Sequence, residues 1–328
     1  MVTDVGSADM SSQTTREPAE QRRDADSPAI CIRGLTKRYG STQALAGLDL
    51  DVAEGETFGF LGPNGAGKST TIELLLGVRR ATSGSASIFG LDVWREALDV
   101  HRRLGYVPSE ADLWPSLTGG EVLRFLANMH GSVDEAYEAE LVGRFELDLG
   151  KKCRAYSHGN RQKVLLIAAF ASRAELLLLD EPTTGLDPLM EQVFRECVRE
   201  AHDRGQTVFL SSHIMSEVEA VCDRVAMLQA GRVVEVGELE TLRGMAALRV
   251  RAHLARPVPQ LAEQLSNLEG VARVVVDGTS IECDVTGPMD ALMGLLTPAG
   301  VLRLTTREPS LEELFVSRYG TAEPAVHA

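Results

Sequence analysis

The sequence predicts an α/β fold with a mixed, mostly parallel central sheet, followed by a smaller α+β unit. Three observations carry this. Short, wholly apolar runs alternate with helical patterns, the arrangement of strands buried on both faces. A glycine-rich segment, Gly62 to Gly67, sits between one such run and a helix. Beyond Gly237 a second series of strands and helices follows in the order strand, helix, strand, strand, helix, strand. The chain has 328 residues, 44% hydrophobic and 24% charged, enough for one large domain or two ordinary ones with a real core.

The elements follow in order. Residues 1–28 are polar and charged with almost no bulky apolar side chain, so they predict a disordered tail, and without an apolar core segment they do not read as a secretory signal. Ala29 to Tyr39 and Leu45 to Val52 alternate apolar and polar residues around the turn at Gly40 and Ser41, predicting two antiparallel strands. Thr57 to Leu61 is a buried-strand run, and a helical pattern then continues to Gly77. From about Trp94 to Ala169 the periodicity is mainly helical, interrupted at Gly119, Gly131 and Gly150. Leu176 to Leu179 and Thr207 to Leu210 predict buried parallel strands with a helix at Met190 to Asp203 between them, and Val225 to Leu228 with Arg232 to Val236 predict a hairpin. The domain divisions expected are 29–237, with a helical part at about 94–169, then 238–320, and a tail at 321–328. In the second unit, strands are expected at Leu248 to Leu254, Val271 to Val276, Ser280 to Val285 and Val301 to Thr305, and helices near Val258 to Leu268 and Met289 to Leu296. Ser310 with Glu313 reads as a capping box for a closing helix whose apolar face is Leu311, Leu314 and Phe315.

Charge and cysteine usage narrow the function. Lys and Arg total 33 against 47 Asp and Glu, a net charge of -14, opposite to the basic footprint of a nucleic-acid binder. The longest apolar run, Val164 to Ala171, has eight residues, far short of the roughly 18 to 20 of a membrane span. The five cysteines are scattered without metal-binding spacing and read as thiols of a reducing cytosol.

The most informative segment is Gly62-Pro63-Asn64-Gly65-Ala66-Gly67-Lys68-Ser69, a phosphate-binding loop in the required strand-to-helix setting. Glycines let backbone N–H groups turn inward around phosphates, and the helix N-terminus adds a positive dipole. Lys68 brings a compact charge, Ser69 a hydroxyl for Mg²⁺, and Thr70 a hydroxyl within reach of a phosphate oxygen. A P-loop NTPase binding a nucleotide triphosphate is the consequence.

Downstream come Tyr156-Ser157-His158-Gly159-Asn160, then Leu176 to Leu179 running into Asp180-Glu181-Pro182, then Gly185-Leu186-Asp187, then Ser211-Ser212-His213. This ordered set resembles the ATP-binding cassette (ABC) ATPases over about residues 29–237: Walker A, signature, Walker B, D-loop and H-loop. The resemblance implies a cassette with a mixed sheet core, an antiparallel β subdomain and a helical subdomain, in which two subunits sandwich two ATP molecules head to tail. It further implies Asp180 holding Mg²⁺, Glu181 as general base, His213 at the γ-phosphate, and Tyr39 stacking on adenine. Ser157, Gly159, Asn160 and Asp187 would meet the nucleotide held by the partner subunit, a second copy or a paralogue. Two motifs depart from the pattern: the signature, usually LSGGQ, reads Tyr156-Ser157-His158-Gly159-Asn160 and keeps only Ser157 and Gly159, and Ser109, after Tyr106-Val-Pro108, stands where the Q-loop has glutamine.

The cassette, the segment from Trp114 to Thr118 and the ending Pro309 to Phe315 look most like ATPase subunits of ABC-2 type exporters, including the daunorubicin-resistance-like multidrug group. That resemblance implies a separate membrane permease as partner and a cytoplasmic, peripheral position at the inner face of the membrane. A soluble ABC ATPase with a regulatory role is the alternative. A single Walker A argues against two-cassette translation factors, the lack of long heptads against chromosome ATPases, and the lack of an N-K-x-D motif against a GTPase.

Overall fold

The computed structural model describes residues 28–131, 133–244 and 247–308. The expected tails and the Ser310 capping box lie outside the described residues, apart from Pro28 in the first tail. In chain order the elements are β1 (Ile30–Tyr39), β2 (Thr42–Val52), β3 (Thr57–Leu61), α1 (Lys68–Leu75), β4 (Ser83–Ile88), β5 (Leu91–Asp92), α2 (Ala97–His101), β6 (Leu104–Val107), α3 (Gly119–His130) and α4 (Glu135–Arg144). There follow α5 (His158–Ala171), β7 (Leu176–Asp180), α6 (Pro188–Asp203), β8 (Thr207–Ser212), α7 (Met215–Glu219), β9 (Arg224–Gln229), β10 (Arg232–Glu238) and α8 (Leu239–Gly244). The last set is β11 (Leu248–Leu254), α9 (Leu261–Ser266), β12 (Val271–Asp277), β13 (Ser280–Val285), α10 (Asp290–Leu296) and β14 (Val301–Arg307).

The central sheet has the order β10-β9-β3-β8-β7-β6, parallel except for the β9–β10 hairpin. Its inner strands β3, β9, β8 and β7 are buried on both faces because each face has a core to fill, whereas the edge strand β10 is charged and partly exposed. In β7, Leu177 and Leu179 point into one core with α5 and α6, while Leu176 and Leu178 point into the other with α1 and the antiparallel sheet. β8 divides likewise, Val208 and Leu210 against Phe209, and Phe209 stacks on Phe58 of β3 at 5.9 Å. The second sheet, β2-β1-β4-β5, is antiparallel and covers the second core. The expected strands β1 and β2 pair as read, Ile30 opposite Val52.

Two differences from the sequence reading concern weak signals. Leu104–Val107 is a strand within the stretch read as helical. It is four residues long, lies at the sheet edge and pairs only with β7, too short to show its own period against the helices that follow. Ser83–Ile88, with the sequence SGSASI, pairs with β1 although its composition gives no strand pattern; its three exposed leading residues leave only Ala86 and Ile88 to bury.

α3 begins with a complete capping box, Thr118 Oγ1 accepting from Glu121 N while Glu121 accepts from Thr118 N. The third sheet, β12-β13-β11-β14, is antiparallel throughout. α9 and α10 supply Leu261, Leu265, Leu292 and Leu296 to a separate core beneath it, the ferredoxin-like arrangement that the βαββαβ order predicts.

Candidate functional site

The site forms where β3, β7 and β8 end side by side. Parallel pairing brings Leu61 opposite Ser212 and Asp180 opposite Ser211, so the loops leaving all three strands meet beyond their C-terminal ends, the usual ligand position in an open α/β sheet. The loop after β3 turns into α1 through Gly67, whose φ of 113° places the residue in a region that L side chains rarely adopt. A Cβ there would sit 2.7 Å from Leu45 Cδ2 and 2.8 Å from Ala44 O, so only glycine fits. Pro63, Asn64, Gly65 and Ser69 are exposed at the loop rim, whereas Ala66 is buried beneath it.

Lys68 is 5% exposed; its Nζ donates to Gly62 O at 2.8 Å and lies 3.3 Å from Glu181 Oε1. The other oxygen of Glu181 is 3.3 Å from His213 Nδ1. One carboxylate therefore stands between a lysine from the phosphate loop and a histidine just past β8. Glu181 has a φ of 46°, unusual for a residue with a side chain and characteristic of functional sites. Its N–H donates to Ser211 O at 3.1 Å, which ties that conformation to the neighbouring strand.

Asp180 is 2% exposed. Burial pushes its carboxyl pKa up, hydrogen bonds from Ser211 and Ser69 pull it down, and the charge of Glu181 raises it again. Lys68 lies close enough for its charge to lower the carboxyl pKa in turn, and a buried carboxylate in contact with serine hydroxyls is a hard-oxygen donor set that suits Mg²⁺. No group of three or more His, Cys, Asp or Glu side chains placed to hold a metal occurs among the described residues, so a cation here would take its remaining ligands from water and phosphate.

The other expected site residues sit around this centre. Thr70 is half-buried; its neighbour Thr71 binds the loop, Oγ1 donating to Gly67 O at 3.0 Å. Tyr39 is 39% exposed at the end of β1, with its hydroxyl 3.5 Å from Glu73 of α1 and Lys37 Nζ 5.0 Å from its ring centroid. The signature residues gather elsewhere. Ser157 caps α5, accepting from Asn160 N at 3.2 Å, and a Cβ on Gly159 would lie 2.3 Å from Gly185 O. No hydrogen bond or ion pair among the described residues joins Ser157, Gly159 or Asn160 to the phosphate loop. Asp187 caps α6, accepting from Leu189 N and Met190 N at 3.0 and 3.1 Å.

Two contributors escape sequence reasoning. Ser211 donates to Asp180 Oδ1. Gln162, fully buried on α5, donates from Nε2 to Pro182 O at 3.1 Å and Pro108 O at 3.4 Å, bridging the segment after β7 to the one after β6. Only the proximity of Gln162 to the signature hinted at a role.

This geometry agrees with what the chain is similar to. Residues 45–184 match the family model described as ABC transporter. A daunorubicin resistance ATP-binding protein of Streptomyces coeruleorubidus is 37% identical over 304 residues, spanning 89% of this chain and 96% of that protein. The chain belongs to the ATP-binding proteins of ABC transporters. A bacitracin transport ATP-binding protein of Bacillus licheniformis is 34% identical over 304 residues, 90% of this chain and 98% of that protein. Among solved structures, an ATP-binding subunit of an ABC transporter is 32% identical with a TM-score of 0.62, covering 66% of this chain and 92% of that one. A dimeric cassette in a post-hydrolysis state, bound to ADP and phosphate, shares the fold with a TM-score of 0.58 at 24% identity, covering 64% of this chain and 98% of that one. The fold is thus that of the ABC cassette. No helix among the described residues is long and apolar enough to cross a membrane.

Proposed function

We propose that this chain hydrolyses ATP as one of two subunits that close head to tail around two ATP molecules, and that it drives a separate ABC-2 type permease in export. The convergence of Lys68, Asp180, Glu181 and His213 beyond the C-terminal ends of β3, β7 and β8 carries the hydrolytic reading. The resistance and transport names of the relatives support export.

In this reading the loop from Gly62 to Thr70 wraps the phosphates and Lys68 exchanges its carbonyl and carboxylate partners for phosphate oxygens. Ser69 and Asp180 hold Mg²⁺, which supplies charge neutralisation at the phosphates when bound. Glu181 accepts the proton of the attacking water, and His213, 3.3 Å away, holds the γ-phosphate and the orientation of that carboxylate. Tyr39 stacks on the adenine. Ser157, Gly159 and Asn160 lie at the N-terminus of α5, where a helix dipole favours an anion; they and the Asp187 turn face the partner's nucleotide, the partner being a second copy or a paralogue. Residues 29–237 form the cassette and 238–320 the accessory domain, with the assembly at the inner face of the cell membrane.

The test is to measure phosphate release from Mg-ATP by the purified protein, and to identify what co-purifies from detergent-solubilised membranes. Hydrolysis that Lys68→Ala abolishes, with a multispanning membrane protein in the complex, is the expected result. A membrane fraction free of partner, with undiminished export in a Lys68→Ala strain, overturns the transport assignment.

A further inference from the structure

Beyond the last β7–β8 pair, Asp180 with Ser211, the two strands diverge into the loops that carry Glu181 and His213. Backbone pairing no longer holds these loops together except through Glu181 N to Ser211 O. A carboxylate from α7 spans the gap. Glu217 Oε1 accepts from Thr183 Oγ1 at 2.5 Å, and Glu217 Oε2 accepts from Ser212 Oγ at 2.6 Å. Thr183 is two residues past Glu181 and Ser212 is one residue before His213. Both are buried, at 8% and 1% exposed.

We infer that Glu217 is a positioning residue for ATP hydrolysis, clamping the segment after Glu181 to the segment before His213. Both hydroxyls donate to this one carboxylate, Thr183 to one oxygen and Ser212 to the other. The Ser212 oxygen also accepts from Ile214 N at 2.9 Å, which pins the backbone on the far side of His213. On the other loop, Thr184 N donates to Glu181 O and Leu186 N to Thr183 O, so the position of Thr183 is set together with that of Glu181. Short charge-assisted hydrogen bonds are the stronger kind, and here they lie one and two residues from the pair whose 3.3 Å approach the chemistry uses. Among the described residues Glu217 makes no hydrogen bond or ion pair with Lys68 or the phosphate loop. Its loss is therefore expected in turnover rather than in ATP binding.

The inference rests on the hydrolytic reading of the site, and the experiment separates the two. Steady-state ATP hydrolysis is measured for the wild type, Glu217→Ala, Glu217→Gln, Thr183→Val and the Thr183→Val/Glu217→Ala double variant, each checked for folding by thermal melting. The expected result is a tenfold or larger fall in kcat for Glu217→Ala with KM for Mg-ATP within threefold. Glu217→Gln recovers part of the loss because its amide oxygen still accepts from one hydroxyl. Thr183→Val loses turnover in the same sense, and the double variant falls no further than Glu217→Ala, since both act through one clamp. A folded Glu217→Ala with kcat within twofold of wild type, or additive losses in the double variant, overturns the inference while leaving the hydrolytic reading intact. A folded wild type without ATPase activity overturns both.

Discussion

With Glu181 as the proposed general base, replacing it by Gln should separate binding from chemistry at this site. The amide keeps the shape of the carboxylate but takes no proton, so the general-base contribution is lost; such contributions are worth about 10² to 10⁴ in rate, or roughly 3 to 5 kcal/mol at about 1.4 kcal/mol per decade. Binding should change in the opposite direction. Lys68 Nζ lies 3.3 Å from Glu181 Oε1, where two unit charges attract by about 5 kcal/mol at an effective dielectric constant of about 20. Most of that gross attraction is offset by desolvation of the pair. Even a residue of about 1 to 2 kcal/mol, once removed, leaves Lys68 freer for phosphate and tightens ATP binding roughly five- to thirtyfold. Phosphate release and equilibrium binding of ATP by calorimetry, measured on the same preparation, test both halves, and gel filtration with ATP should show a stable dimer. A kcat within threefold of the wild type, or ATP bound more weakly than by the wild type, would refute the argument.

Other substitutions probe other parts of the site. Asp180→Asn removes a buried carboxylate that burial already penalises; the nucleotide-free protein should melt higher while Mg²⁺-dependent hydrolysis falls on the order of a hundredfold, and a lowered melting temperature would contradict this. Tyr39→Ala should raise KM for ATP roughly tenfold, the usual worth of base stacking on an aromatic, with kcat nearly unchanged. Gly159→Ala drives a Cβ to within 2.3 Å of Gly185 O; overpacking of about 1 to 3 kcal/mol should lower the melting temperature by several degrees. At the start of α3, Thr118→Ala should cost about 1 kcal/mol. Hydrogen bonds from Thr118 hold the Glu121 carboxyl below its ordinary pKa, so the advantage of wild type over Glu121→Gln is full above the ordinary carboxylate range and disappears as pH falls through the lowered value. Chemical denaturation at a series of pH values reads this directly.

Contiguity decided what the sequence disclosed. The phosphate loop is legible because eight consecutive residues carry both its shape and its chemistry, and the run from Leu176 to Asp180 is legible because a strand buried on both faces needs every residue apolar until it reaches the site. The ladder pairing of β7 with β8 then places Asp180 opposite Ser211, so the meeting of Asp180, Glu181 and His213 follows from strand order alone. Leu104–Val107 shows the limit: its four residues make a strand only because β7 lies beside them. Gln162 and Glu217 mark a second limit. Gln162 joins segments 54 and 20 residues away, Glu217 joins one 34 residues away to one only 5 residues away, and neither differs in type from any polar residue on a helix.

The departure at His158 finds its physical reason in the D-loop. Gly185 has a φ of 80°, and a Cβ on it would lie 2.5 Å from His158 Cδ2; the imidazole occupies the space that a side chain at 185 would need. His158 Nε2 is buried there without a hydrogen-bond partner among the described residues. With Gly159 pressed against Gly185 O and Gln162 tied to Pro182 O, the first turns of α5 touch the D-loop segment at three residues. Gln162, one turn further along α5, joins the segment after β7 at Pro182 O to the end of β6 at Pro108 O, so the start of this helix packs and hydrogen-bonds against both segments that border Glu181 and Ser109 in the chain.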